Sequence, residues 1–328
     1  MRSRTGWFAL FVLACGLIVG CGEGDADRSE PPKPRSAPAD RRAAATARAA
    51  PGTVRVAAVQ FLSKMGAPAE NRRGLAEKVR QAARNGAKIV VLPEAAIAGY
   101  MSADLKTTWQ LKGRQVTAGL SGVSPRKVAE TVPGESTRSF AKLAKELGIY
   151  LTVPLLEVDP KSDRFFNALV LVGPDGKLLL HYRKLNPWPW AEQGWTTPGD
   201  RGHQYVDTPF GRLALLICYD INYEPQRLKD AKIDTLLYAI AWVDDADSTW
   251  FDKQLPQIAR ESDMNIIGAD WTVPQKVDWH GYGQSRIISR TGKILAKVRQ
   301  DIGEEIIYAE LPVPAPPAAK EEPRDEKP

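Results

Sequence analysis

Four polar residues of this chain each end or adjoin an apolar run. Glu94 follows Ile89-Val-Val-Leu-Pro93, Lys184 ends Leu178-Leu-Leu-His-Tyr-Arg-Lys, Glu192 lies eight residues further on, and Cys218 ends Leu213-Ala-Leu-Leu-Ile-Cys. Between them they offer a thiol nucleophile, a carboxylate base, a cation for a developing oxyanion and a second carboxylate to hold the set in place. That is the chemistry of acyl transfer through a covalent intermediate. Each residue alone has a plainer reading. A Glu or Lys at a strand end is usually a solvated rim residue, and a free cysteine is usually a small buried hydrophobe.

Cysteine usage favours the chemical reading. The chain has three cysteines, Cys15, Cys21 and Cys218. Arg2 and Arg4 form a positive n-region, and Phe8 to Val19 form an apolar h-region too short for a comfortable membrane span. The run closes on Leu17-Ile-Val-Gly-Cys21, which resembles a bacterial lipobox. The resemblance implies a lipoprotein signal over 1–21, cleavage before Cys21 and acylation of Cys21. The expected location is the bacterial cell envelope, lipid-anchored, at the outer membrane or the periplasmic face rather than in the cytoplasm. Cys15 then leaves with the signal, and Cys218 remains the one thiol, in a compartment where exported proteins usually pair theirs. Losing Arg2 and Arg4 takes the formal charge from +6 to +4, and no Lys/Arg block stands out. No nucleic-acid footprint is read from this. The histidines His181, His203 and His280 lack metal-ligand spacing, and there is no Gly-rich phosphate loop, so neither metal nor cofactor is expected.

The elements that must position these residues follow from periodicity. Residues 22–52 are rich in Pro, Ala, Arg and acidic side chains with no apolar period, and read as a disordered tether of about 30 Å mean span. From Pro312 the chain turns to Pro-Val-Pro-Ala-Pro-Pro and then to charge, so 313–328 reads as a tail. The interval 53–312 remains as one α/β domain. Within it the patterns predict about eleven strands and five helices. Strands are expected over 53–61, 87–92, 150–156, 166–172, 177–183, 213–218, 234–241, 265–269, 283–289, 294–299 and 305–310. Helices are expected over 71–85, 136–147, 224–230 and 249–261. Gly173-Pro-Asp-Gly176 marks a hairpin turn. Mixed βα units and hairpins argue for two sheets, or one mixed sheet, covered by helices. Cys218 falls at the C-terminal end of a buried strand, where open α/β sheets place their ligands.

In their joint context the motifs are far more specific. Leu92-Pro-Glu94, Tyr182-Arg-Lys184, Glu192 followed by Pro198-Gly-Asp200, and Ile217-Cys-Tyr-Asp220 occur in this order, after Val54-Arg-Val-Ala-Ala-Val-Gln60 and before Gly283-Gln-Ser-Arg-Ile-Ile. Together they resemble the nitrilase, or carbon–nitrogen hydrolase, superfamily. The resemblance implies a four-layer αββα sandwich, usually a homodimer or higher homo-oligomer, acting on a small-molecule amide. Position by position it implies that Glu94 is the general base, Lys184 stabilises the tetrahedral intermediate, Cys218 is the nucleophile, and Glu192 positions substrate and lysine. The backbone N–H of Tyr219 would assist the oxyanion, and Tyr100 and Trp242 would line the acyl pocket. Trp188, Trp190, Trp195, Trp271 and Trp279 also gather near the expected mouth. Cys218-Tyr-Asp resembles amidases and N-carbamoyl hydrolases more than nitrilases, which tend to carry Trp-Glu there. Lys184-Leu-Asn186 and Thr208-Pro-Phe-Gly211 are similar to the biotinidase and pantetheinase branch, whose extra cysteines are absent here. A non-catalytic binding lipoprotein on the same fold is the competing class. For the anchor, Cys21→Ala is expected to abolish incorporation of labelled palmitate and to move the protein out of the detergent phase on partitioning. Partitioning identical to wild type would refute the lipid anchor.

Overall fold

The computed structural model describes residues 52–100, 125–189, 192, 196–244, 248–276 and 280–314. The expected signal, Cys21, nearly all of the tether and most of the tail lie outside the described residues, as do Trp190, Trp195 and Trp279. No helix among the described residues is long and apolar enough to cross a membrane.

Twelve strands form two six-stranded sheets. The first holds β12 (Glu305–Pro312), β1 (Thr53–Gln60), β2 (Ile89–Val91), β3 (Tyr150–Val158), β4 (Phe165–Val172) and β5 (Leu178–Arg183), in that spatial order. The second runs β11 (Ile294–Lys297), β10 (Arg286–Ile288), β9 (Asn265–Asp270), β8 (Thr235–Ile240), β7 (Gly211–Ile217), β6 (Tyr205–Thr208). In each sheet a parallel centre is flanked by antiparallel strands. The parallel strands are covered on both faces, and their sequences are correspondingly apolar without alternation.

The period-2 geometry of a strand divides its side chains between two layers. On β1, Val54, Val56 and Ala58 face a core shared with Leu213–Ile217 of the second sheet. Ala57 and Val59 face the other way, against helices α1 (Pro68–Arg84) and α3 (Glu135–Leu147). Leu75, Val79 and Ala82 of α1, and Phe140, Leu143 and Ala144 of α3, recur at helical spacing and are buried on that face. Proline opens α1 where a missing N–H costs nothing, and Gly148 closes α3 in the left-handed conformation. On the far side of the second sheet lie α4 (Pro225–Asp230) and α5 (Leu255–Glu261), which contribute Leu228, Leu255 and Ala259 to its core. The layering is therefore helix, sheet, sheet, helix, as the motif resemblance implies.

Local departures from the sequence reading have identifiable causes. β6 was not expected: it is a four-residue edge strand with no buried residue, so it carries no apolar signature. Helix α2 (Pro125–Val128) lies outside the expected helical ranges and is a single turn. The helix expected over 249–261 starts as one wide π-type turn at Trp250–Gln254 before α5. The strand expected over 283–289 shrinks to β10, because Gly283 turns at φ +70° tight against the Asp301 backbone. Most consequentially, β7 ends at Ile217, so Cys218 lies just past the strand and opens a 3₁₀ turn, Cys218–Asn222.

The two sheets meet at the C-terminal ends of their parallel strands. The Glu94 N–H, past β2, donates to Ile240 O at the end of β8 (3.3 Å), and Phe61 bridges Trp271 past the ends of β1 and β9. Lys184 leaves β5 at the same end. Its N–H donates to Asn167 O and its carbonyl accepts from Gly199 N, both at 2.8 Å. Gly199 fits because it has no side chain: a Cβ there would stand 2.1 Å from Arg183 O. Its neighbour Asp200 accepts from Arg183 Nη1 at 2.8 Å, which closes the Pro-Gly-Asp turn under the lysine. Gly199→Ala is expected to lower Tm by about 2–12 °C, from an overpacking cost of about 1–3 kcal/mol, and to impair any activity that depends on Lys184. Thermal melting checks this; an unchanged Tm would mean the turn tolerates the methyl.

Candidate active site

The site is built from the strand ends upward. Lys184 is completely buried, and its ammonium lies between two equally buried carboxylates. Nζ donates to Glu94 Oε1 at 2.7 Å and to Glu192 Oε2. An ammonium so placed, away from water, requires paired partners. Burial works against its charge, but Glu192 and Glu94 outweigh that and hold the Lys184 pKa well above the ordinary lysine value.

The carboxylates are clamped in turn. Asn167, on β4, donates from Nδ2 to Glu94 Oε1 and to Glu192 Oε1, both at 2.7 Å. The Trp188 N–H donates to Glu192 Oε2 at 2.7 Å, and the Glu192 N–H returns to Trp188 O at 2.9 Å. Two negative charges and one positive charge leave a surplus of negative charge in a dry place. Burial first, and the Glu192 charge after it, push the Glu94 carboxyl up from its ordinary value to about 7, against the opposing pull of Lys184. Its second oxygen, Oε2, is buried and meets no nitrogen or oxygen hydrogen-bond partner. That is a carboxylate poised to take or give a proton near neutrality.

Cys218 stands beside this set. Its φ of +42° is a left-handed conformation that non-glycine residues seldom adopt, and it re-aims the side chain at the end of β7. The thiol approaches Ala241 O at 3.7 Å, while Tyr238 Oη donates to Cys218 O at 2.8 Å. Burial, then the Glu94 charge, push the thiol pKa well above its usual value, and Lys184 pulls the other way. Burial thus favours the protonated form of the thiol, and a hydrogen bond with that thiol pulls the Glu94 carboxyl down. A cavity of about 70 Å³ opens at the sulfur, lined by Trp188, Cys218, Tyr219, Ala241, Trp242 and Val243.

Glu94, Lys184, Glu192 and Cys218, distant in sequence, thus converge. Trp242 lines the cavity and stacks on Trp250 at 4.1 Å between ring centroids. Tyr219 lines it too, and as the second residue of the 3₁₀ turn its N–H has no acceptor within that turn. Tyr100 is not among the cavity-lining residues. It is buried edge-on against Trp271, with its hydroxyl unpartnered and its proton held well above the usual value by burial and by the Glu192, Glu94 and Cys218 charges. His181 pairs with Glu157, and His203 lies 2.7 Å from Glu224. Neither is a partner for Cys218. Sequence reasoning missed Asn167 and the carbonyl of Ala241. A signal for the first exists: Asn167 is the one polar residue within Phe165-Phe-Asn-Ala-Leu-Val-Leu-Val172, and a buried amide needs partners.

A profile of the carbon-nitrogen hydrolase family matches residues 55–315. The chain is 28% identical to the omega-amidase NIT2 of Xenopus tropicalis over 273 residues, covering 78% of this chain and 88% of that protein. It is 28% identical to the human omega-amidase NIT2 over 249 residues, covering 71% and 79%. Among solved structures, an amidase from Nesterenkonia sp. superposes with a TM-score of 0.65 at 18% identity, over 80% of this chain and 92% of that one. Nit3 of Saccharomyces cerevisiae superposes with 0.64 at 24% identity, over 80% and 90%. The fold is shared with these structures, and the family profile spans most of the chain. The chain belongs to the carbon-nitrogen hydrolase family.

Proposed function

We propose that this protein hydrolyses small-molecule amides through an acyl-enzyme on Cys218, with Glu94 as general base and acid, Lys184 as oxyanion partner and Glu192 as the carboxylate that fixes the lysine. The observation that carries the reading is the closed, buried set of Glu94, Lys184, Glu192 and Asn167 beside the free thiol of Cys218. A binding protein has no need of a carboxyl raised to about 7 next to a buried sulfur.

In this reading Glu94 takes the thiol proton as sulfur attacks the amide carbon. The negative charge on the carbonyl oxygen is met by the Lys184 ammonium and the Tyr219 N–H. The carbon–nitrogen bond breaks, and Glu94 delivers its proton to the departing amine or ammonia. Glu94 then draws a proton from water, whose oxygen attacks the thioester carbon, and the sulfur leaves as a thiol. Two structures of mutants of the Nesterenkonia amidase support a nucleophilic cysteine and a small amide ligand: one carries the acetamide moiety of fluoroacetamide on its active-site cysteine, and another holds butyramide. The 70 Å³ space between Trp188 and Trp242 suits a short, apolar acyl group of that kind. The lipobox supports the further reading that this chemistry takes place at the cell envelope, with Cys21 as the anchor.

Two tests follow. Intact-mass spectrometry after mixing with an activated short amide or ester is expected to show an adduct that peptide mapping places on Cys218, and Cys218→Ala is expected to show neither adduct nor turnover. Lys184→Met is expected to lose about a hundredfold or more in rate, as loss of one oxyanion donor does. It also strands two buried carboxylates, so its stability is expected to fall by about 3–5 kcal/mol. Amide turnover surviving in Cys218→Ala would remove this mechanism and leave the binding-protein class in its place. The second test is pH. Glu94 is raised to about 7 and must be deprotonated to act, so protons switch it off from below. kcat/KM is expected to fall about tenfold per unit of pH on the acid side of that value. An acid limb centred near about pH 4, where an ordinary carboxyl titrates, would exclude Glu94 as the base.

A further inference from the structure

We propose that Asp220 is a positioning residue that fixes Lys184 relative to Cys218, an inference that rests on the acyl-enzyme reading above. Asp220 is completely buried, two residues past the thiol. Both of its oxygens are engaged, and the pattern of engagement is informative. Oδ2 accepts from Tyr182 Oη at 2.7 Å and from Ile217 N at 3.3 Å. Oδ1 accepts from Asn186 N at 2.8 Å and from Asn186 Nδ2 at 3.0 Å. Tyr182 and Asn186 stand two residues before and two residues after Lys184. Ile217 directly precedes Cys218. One carboxylate therefore brackets the lysine from both sides and ties that bracket to the turn that carries the sulfur.

The need for such a tie follows from the topology. Lys184 leaves the edge strand of the first sheet, and Cys218 leaves a strand of the second. Apolar packing between sheets holds them together but is non-directional, so it does not set the position of one strand end against the other. A directional bond between the two chain segments does. The backbone at Cys218 also needs holding, since φ +42° persists only where surrounding contacts over-determine it. Tyr238 holds its carbonyl from one side. Asp220, bonded to the preceding N–H, holds it from the other. Asn186 extends the bracket by donating from Nδ2 to Glu224 Oε1 at 2.9 Å, just ahead of α4. Burial raises the Asp220 carboxyl to about 6, even with Lys184, Tyr182 and Asn186 pulling it down. An apolar side chain of similar size would avoid that desolvation. What the carboxylate adds is direction.

The test uses the full chain and two readouts: steady-state kinetics on butyramide, and the pH dependence of Cys218 alkylation by iodoacetamide, which requires no substrate. Asp220→Ala is expected to lower kcat about a hundredfold, since a displacement of about 1 Å at a reacting group costs that much. KM is expected to stay within about threefold, because Asp220 does not itself line the acyl cavity. The midpoint of the alkylation profile is expected to shift, because the thiol loses its fixed distance to Lys184 and Glu94; a role confined to stability would leave it in place. Asp220→Asn, which retains one acceptor oxygen and the volume, is expected to recover part of kcat. Asn186→Ala keeps the backbone N–H bond but removes the Nδ2 bond, one of the four, together with the link to Glu224, and is expected to move both readouts in the same direction by a smaller amount. The double variant is expected to fall no further than Asp220→Ala alone. A folded Asp220→Ala with kcat near wild type and an unmoved alkylation midpoint overturns the proposal, as do losses that multiply in the double variant. Should Asp220→Ala fail to fold, Asp220→Asn and Asn186→Ala decide in the same terms. Amide turnover by Cys218→Ala would instead sink the acyl-enzyme reading, a separate outcome that the alkylation profile of the Asp220 variants does not affect.

Discussion

The site depends on one buried ammonium. Lys184 carries a charge into a place without water, and such a charge persists only if it is paired and every partner is itself satisfied. Glu94 and Glu192 supply the pairing, Asn167 bridges the two carboxylates, and the Trp188 N–H completes Glu192. Removing any member leaves the others exposed to the desolvation cost. The arrangement is therefore all or none, and it fixes three strand ends with respect to each other: those of β2, β4 and β5.

The surplus negative charge in that set explains its chemical capacity. Two carboxylates share one cation, so one carboxyl is held near the point of protonation, and Glu94 is the one whose second oxygen is left to the Cys218 thiol. The neighbouring thiol is raised by the same burial and the same charges. In the proposed reaction this would match base and nucleophile, because proton transfer between two groups that both resist ionisation is easier than creating either ion alone in that setting. The same two carboxylates hold the Lys184 pKa well above the ordinary lysine value, which suits the oxyanion role proposed for it.

The backbone contributes as much as the side chains. Cys218 departs from the strand in a left-handed turn, and the residue following Glu94, Ala95, is also left-handed at φ +50°. Both sharp turns occur where parallel strands of the two sheets end and meet. Such turns at strand ends aim side chains into the space between sheets and are kept by surrounding bonds. The cavity at the sulfur is small because indole rings fill its walls: Trp188 from the segment after Lys184, and Trp242 from the end of β8, itself backed by Trp250.

The sequence by itself determined the alternation of strands and helices and the order of the motifs around Glu94, Lys184, Glu192 and Cys218; its patterns left one mixed sheet or two sheets open, and the two-sheet sandwich was what the motif resemblance implied. These were legible because burial on both faces writes continuous apolar runs, and because turn residues such as Pro198-Gly-Asp200 have steric causes. It could not show that residues 94, 184, 192 and 218 touch, since that follows from the crossing of two sheets and not from spacing along the chain. The edge strand β6 left no apolar trace, and the true end of β7 at Ile217 depends on a backbone dihedral that composition does not encode. Asn167 was visible only as an oddity in an apolar strand, and Asp220 only as the last letter of a motif. Their roles were decided by tertiary structure, because a buried polar group acquires its meaning from the partners that satisfy it, and those partners lie 25 to 73 residues away for Asn167 and 34 to 38 for the Asp220 side-chain bonds to Asn186 and Tyr182.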